Sequence, residues 1–370
     1  MHKLFTIARW FVGLLFIFSG LVKANDPLGL SYKMQEFFEV WHMGFLDSYT
    51  FSLSVIIITF EIVAGVALLI GWQFRLFSWL VLLLIIFFTF LTGYAVFSGN
   101  IKECGCFGDC IPLSAAQSFT KDLVLLVITA WLFIKRKSIQ SAISRFKAVS
   151  LIILATIASL YIQYYAVEYL PPVDCLPYKK GVDIYEQMKI PSNAIPDSTV
   201  ITFVYQKDGK EVEFDTEHFP VDFSDSAYSF VRRYDKLIRK GNAEPPIKDF
   251  VIMTPEGVDT TAAILNDPRE MWVIFIRQVD NKSKAWINSI QKINGWSIDN
   301  QRPVIVVTPQ FEAVTDLFQQ SNIQLPVYKG DLVAIKTAAR SNPTLYQLQQ
   351  GVVLDKRGRA NMLQPFGFTE

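Results

Sequence analysis

The chain divides by the length of its apolar runs. Up to about residue 170 the runs are long. Leu4–Leu21, Phe51–Trp72, Leu76–Phe97, Ser114–Ile134 and Ala148–Ala166 each approach or exceed the roughly twenty mainly apolar residues that a helix needs to cross a bilayer. All five are expected to be helical, because lipid offers the backbone no hydrogen-bond partner. The fourth run is the weakest, since Lys121 and Asp122 fall inside it, and a shorter span beginning near Leu123 is the alternative.

Beyond Pro171-Pro172, a linker signal, the runs are short and the periods change. Alternation on either side of Asp208-Gly209 predicts a β-hairpin over Thr199–Phe214. Ser226–Lys240 reads as a helix. Phe250–Thr254 predicts a strand, and Thr260–Leu265 a short helix. The unbroken apolar runs Met271–Ile276 and Pro303–Thr308 suit strands buried on both faces. Ser283–Ile293 and Glu312–Gln320 have helical spacing. Asn342–Leu348 followed by Gly351–Asp355 reads as a final antiparallel pair. The expected architecture is an α-helical membrane bundle of about five transmembrane helices carrying a soluble α/β domain. The divisions are a four-helix membrane domain (1–135), a basic loop with a fifth helix (136–170), a hairpin-containing segment (171–245) and the α/β domain (246–370).

Composition agrees with a membrane chain. Hydrophobic residues are 51% and charged residues 19%, below the quarter usual in soluble proteins, and mean hydropathy is +0.28. A net charge of +1 offers no basic field for nucleic acid. Lys3 before an apolar run imitates a signal peptide, but Arg9 interrupts the run and Leu21-Val-Lys-Ala24 is a poor small-residue cleavage site, so the first helix is expected to be retained rather than cleaved. Lys and Arg in short loops set orientation. With the N-terminus inside, Lys3, Arg75, Lys135, Arg136, Lys137, Arg145 and Lys147 lie on inner flanks, against Lys23, Lys33, Lys102 and Lys121 on outer ones. That places the N-terminus in the cytoplasm and, after five crossings, residues 171–370 outside.

Two ionisable residues lie within spans, Arg9 and Glu61. Such groups usually face the bundle interior and pair. They are expected to meet or to share a polar pocket, unless Arg9 snorkels to the inner surface. All four cysteines fall on the expected outer side: Cys104, Cys106 and Cys110 in Glu103-Cys-Gly-Cys-Phe-Gly-Asp-Cys110, and Cys175 after the fifth span. Disulfides persist there, and four cysteines allow three pairings. A Cys104–Cys106 bridge would close a tight, strained and reducible ring, with Gly105 and Gly108 giving the turn its freedom. One reading is thiol–disulfide exchange and another is a pair of structural staples. A zinc site on three thiolates is a third, without a nearby histidine to support it.

Several of these residues carry a resemblance. Arg9 with Phe11-Val-Gly13, Phe18-Ser-Gly20-Leu-Val-Lys23, Phe60-Glu61-Ile-Val-Ala-Gly65, Leu68-Leu-Ile-Gly71 and Glu103-Cys-Gly-Cys-Phe-Gly108 stand in the order and spacing of the DoxX-type membrane fold, and residues 1–135 resemble its MauE (methylamine utilisation) branch. The resemblance implies a bacterial inner-membrane protein supporting disulfide formation or sulfur redox chemistry in the periplasm, with a quinone as electron acceptor. It does not imply that methylamine is the substrate. The strand and helix order from Pro246 resembles the thioredoxin fold, with Asn342-Pro343-Thr344 at its cis-proline segment. Thioredoxin-like proteins carry Cys-x-x-Cys where this chain has Asp280-Asn281-Lys282-Ser283, and no cysteine occurs in 176–370. The domain therefore cannot run dithiol exchange, and Asp280 reads as a helix N-cap. Its expected role is to dock an extracytoplasmic client through an exposed rim at Pro343 or to position the membrane cysteines; a bare spacer is the alternative.

Two functions from different classes remain. One is a redox component passing electrons from client thiols through Cys104, Cys106 or Cys110, with Cys175 as partner thiol. The other is a non-enzymatic membrane assembly factor whose cysteines form structural disulfides. Transport is disfavoured by how few charges lie in the spans.

Overall fold

The computed structural model describes residues 2–99, 101, 105, 107–139, 141–195, 198–216, 218–220, 223, 227–239, 241, 243–280 and 283–368. Among them, five helical segments are long and apolar enough to cross a membrane. They are α1 (His2–Asn25), α3 (Thr50–Ile70, extended outward by a 3-10 turn), α4 (Phe74–Ser98), α5 (Ala115–Ile134) and α6 (Arg145–Tyr169). The sequence did not predict α2 (Pro27–Val40), which lies between α1 and α3. Its start is nonetheless well marked: Asp26 caps it by accepting from Gly29 N, and Pro27 occupies the first turn.

Helices α1 and α3 cross at contact distance, which explains the glycines of the N-terminal pattern. A β-carbon on Gly65 would lie 2.6 Å from the Gly13 carbonyl oxygen, and one on Gly20 2.5 Å from Ile62. Small residues let helix backbones approach where no hydrophobic force drives them together in lipid. On the other side of α3, Thr59 accepts hydrogen bonds from Ser159 and Gln163 of α6.

The soluble half holds two sheets. The first is three-stranded, in the order β2-β1-β3, from β1 (Ser198–Lys207), β2 (Lys210–Asp215) and β3 (Ser229–Arg239). Asp208 and Gly209 both take positive φ, as the two-residue hairpin turn requires. The helix expected over Ser226–Lys240 is instead β3. Its alternation of Phe230, Arg232 and Tyr234 pairs antiparallel with β1, and Tyr205 of β1 meets the Phe230 ring edge-on at 5.5 Å.

The second sheet has six strands in the order β4-β7-β6-β5-β8-β9. These are β4 (Ile252–Met253), β5 (Met271–Phe275), β6 (Val304–Thr308), β7 (Val327–Gly330), β8 (Thr344–Gln349) and β9 (Val352–Arg357). Strands β5, β6 and β7 run parallel, while β4, β8 and β9 are antiparallel to their neighbours. Both central strands are buried throughout, as their apolar runs predict. The period of two divides their side chains between two cores. Val273 and Phe275 face α7 (Ile184–Gln187), α8 (Thr261–Leu265) and α11 (Leu332–Ala338). Trp272 and Ile274 face α9 (Lys284–Asn300) and α10 (Phe311–Gln320). Tyr178 and Ile184 are buried in the first of these cores, so the segment after Pro172 packs with this sheet rather than with the hairpin. Ser283, not Asp280, stands at the N-cap position of α9, where its hydroxyl makes no capping bond to the helix and instead accepts from Asp280 N.

Candidate functional site

A cavity of about 220 Å3 lies among α1 to α5, and its wall is almost wholly apolar, with Phe16, Phe37, Trp41, Phe88 and Phe107 contributing rings. Two charge pairs, one wholly buried and one with a half-buried lysine, break that wall. Lys23 Nζ stands 2.5 Å from Glu61 Oε1, each residue 3% exposed or less, and Ser19 donates to Glu61 Oε2 at 3.2 Å. The Lys23 ammonium also lies 4.9 Å from the Phe88 ring centre. Across the cavity, Asp122 is fully buried, accepts from Thr92 at 3.1 Å and pairs with Lys121 at 2.6 Å. Burying a charge without a partner is costly, and each of these has one.

The expected meeting of Arg9 with Glu61 is therefore corrected. The antiparallel crossing that sets Gly13 against Gly65 and Gly20 against Ile62 brings Glu61 level with Ser19 and Lys23. Arg9 lies fourteen residues before Lys23, about 21 Å along the helix axis. Arg9 is half-buried, and its Nε is buried without a hydrogen-bond partner. Lys23, assigned to an outer flank by the sequence, lies inside the bundle because Glu61 draws its long stem inward. Lys121 and Asp122, which weakened the fourth span, form the second charged wall.

The cysteine loop closes one end of this cavity. Cys104 and Cys106 lie outside the described residues. Gly105 between them is described, with φ +65°, and lines the cavity together with Phe107. The turn is closed by Gly108 N donating to Gly105 O at 3.1 Å. Phe107 packs on Phe18 at 5.9 Å, with the Lys121 ammonium 5.3 Å from its ring centre. Cys110 and Cys175 are joined in a disulfide that closes 65 residues of chain. This bridge removes Cys110 from the three-thiolate zinc set. A second, polar groove of about 350 Å3 runs between α2 and α11 past Cys175, and Lys33 lines both spaces.

The soluble domain sits directly on this end of the bundle. The Arg340 guanidinium, 4% exposed, reaches Asp26 Oδ2 at 2.7 Å and Asp109 Oδ2 at 2.6 Å, with its centre 5.2 Å from the Tyr32 ring. Burial alone would pull this guanidinium down, but Asp26 and Asp109 outweigh it and hold its pKa above the ordinary value. Arg277 donates to the Tyr32 hydroxyl at 2.7 Å, Lys336 to Gln35 at 3.1 Å and Arg359 to Glu168 at 2.9 Å. Lys356 pairs with Asp174 at 2.9 Å, and burial holds its ammonium below the usual lysine range despite that partner.

The Asn342–Pro343 bond is cis, as expected. Pro343 itself is buried, which corrects the exposed rim predicted for it. Ser341 bonds Glu168 O and Arg359 N, and the Asn342 side chain accepts from Arg277 N and donates to Gln278 O. The local hydrogen-bonding groups are thus engaged by the chain itself.

Comparison with known proteins fits this geometry. Residues 1–135 match the family model for methylamine utilisation protein MauE. Residues 199–240, which contain most of the three-stranded sheet, match a domain of unknown function. Protein TlpB of Flavobacterium psychrophilum is 28% identical over 157 residues, a stretch covering 42% of this chain and 42% of that protein. No solved structure matches.

Proposed function

We propose that this multi-pass membrane protein carries out thiol–disulfide exchange at the outer face of a bacterial inner membrane, with Cys104 and Cys106 as the exchanging pair. The observation that carries the reading is the position of Gly105. Of four cysteines, two are held in the Cys110–Cys175 bridge, and the residue separating the other two lines an apolar cavity among the membrane helices. The match of residues 1–135 to MauE supports the same class of chemistry.

The step balances as follows. A client thiolate attacks one sulfur of an oxidised Cys104–Cys106 pair and expels the other as thiolate. The second client thiol, giving up its proton, then attacks the mixed disulfide, leaving the client oxidised and both chain cysteines reduced. Two electrons and two protons must then leave, and a lipid-soluble quinone accepts both. The cavity fits such a group: rings form its wall, and the Lys23 ammonium, which carries hydrogens beyond the one on Glu61, is able to hold a ring oxygen. A client reaches the pair from the polar groove that Lys33 and Cys175 line, with the N-terminus cytoplasmic and the soluble domain outside. The soluble domain serves as a thioredoxin-like module without its cysteines, a reading supported by β5 and β6 running parallel and β8 and β9 antiparallel beside them.

A non-enzymatic assembly factor is the second reading, favoured by the bridge that already staples the loop to the domain junction. Serine replacement separates the two. Exchange predicts that Cys104→Ser or Cys106→Ser traps a client in a reductant-sensitive adduct, while wild-type protein reduced in detergent regains its disulfide on addition of a short-chain quinone. Absence of an adduct from both variants, with no quinone-dependent loss of thiols, leaves the assembly reading.

A further inference from the structure

Each cysteine of the bridge follows an aspartate, and each aspartate is held by a buried cation of the soluble domain. Asp109 pairs with Arg340 and Asp174 with Lys356. The two anchors differ in reach. Lys356 ties down the bridge at the domain's own root, whereas Arg340 crosses 231 residues to the loop that carries the other three cysteines. Arg340 follows α11, where its Nη1 donates to the Lys336 carbonyl at 2.7 Å, so the guanidinium is aimed from a helix end. Its other nitrogens divide between Asp26, at the α1–α2 corner, and Asp109, in the cysteine loop. A planar fork can bridge two carboxylates on different elements, and a lysine ammonium offers no such fixed geometry.

Asp109 is the lever. It lies one residue beyond the turn that Gly108 N closes on Gly105 O, and Gly105 and Phe107 of that turn line the cavity. Holding Asp109 on Arg340 therefore ties the turn to the soluble domain where it meets the cavity mouth. We propose that Arg340 is the positioning residue of the cysteine loop, so that the soluble domain serves the exchange reaction by setting where that loop sits over the cavity. This role rests on the exchange reading above and needs no client to bind at Pro343.

Asp26 and Asp109 both touch Arg340, but only Asp109 belongs to the loop, so Asp26→Asn and Asp109→Asn form a matched pair. Asparagine remains a good N-cap, which spares α2 in the first variant. The reduced full-length proteins are alkylated with iodoacetamide across a pH range, and peptide mapping follows Cys104 and Cys106 separately. Arg340→Lys is the third variant, and a non-reducing map checks that Cys110–Cys175 is intact in each. Displacing a reacting group by about 1 Å costs up to a hundredfold in rate. Asp109→Asn and Arg340→Lys are expected to shift the pH profile of alkylation and to slow oxidation of a dithiol peptide about tenfold or more. Asp26→Asn is expected to stay within about twofold of wild type, because the Arg340–Asp109 pair survives. If Arg340→Lys fails to fold, the matched pair decides alone. Equal effects from the two asparagine variants, or an unchanged profile in Asp109→Asn, overturn the positioning role. A wild-type protein that oxidises no dithiol peptide overturns the exchange reading instead, and the alkylation profiles still test the position of the loop.

Discussion

The Lys23–Glu61 pair allows a quantitative test of how the bundle is held. Both residues are almost wholly buried and stand 2.5 Å apart between α1 and α3. Lys23→Met leaves the Glu61 carboxylate with the Ser19 hydroxyl in place of an ammonium. Glu61→Leu leaves the ammonium above the Phe88 ring. Breaking a buried pair from one side costs about 3–5 kcal/mol, because the survivor stays desolvated without compensation. At about 1.4 kcal/mol per tenfold, even the lower figure reduces the folded-to-unfolded ratio more than a hundredfold. The double variant Lys23→Met/Glu61→Leu removes both charges and fills their space with apolar atoms, so it is expected to lie close to wild type. The single costs then sum to at least about 6 kcal/mol against a double variant near zero, so the pair couples by about that much, above the usual range for touching residues. Reversible unfolding in mixed micelles, followed by tryptophan fluorescence, measures all three variants. Single costs below about 1 kcal/mol, or a double variant as unstable as the sum of the singles, would refute the claim that these two charges stabilise each other.

Two other outcomes follow from the soluble half and its root. Replacing Cys110 and Cys175 together by alanine releases a cross-link across 65 residues, which chain entropy puts at about 4 kcal/mol; a thermal melt unchanged from wild type would contradict it. The Arg269 side chain, with help from its backbone N–H, holds the Asp267 carboxyl down to about 2. Because its folded value lies below the unfolded one, its contribution to stability is present above about pH 4 and is lost as pH falls towards 2. Arg269→Ala should lose most of this pH dependence in denaturant titrations between those limits, and an identical profile in the variant would exclude that partner.

What the sequence revealed follows the range of the forces involved. The five spans were legible because lipid tolerates so few alternatives, and the two central strands because both faces are buried. Glu61 was legible as a buried charge, but its partner was not: that depends on how α1 and α3 are offset, which Gly13, Gly20 and Gly65 decide in three dimensions. Helix α2 was missed because it is too short and too polar to register as a span, although Asp26-Pro27 was a readable start signal. Strand β3 was misread because its polar and aromatic residues gain order only beside β1. The Arg340 contacts left no local trace, since they join positions 314 and 231 residues apart.

The Arg340 contact also has a consequence for the time at which the protein becomes competent. Translation delivers residues in order, so residue 340 can reach Asp26 and Asp109 only when about nine-tenths of the chain has been made. A nascent chain whose spans are already inserted still has an unclamped cysteine loop. The clamp is thus completed only when nearly the whole chain has been made, and a ribosome stalled short of residue 340 leaves the bundle without it.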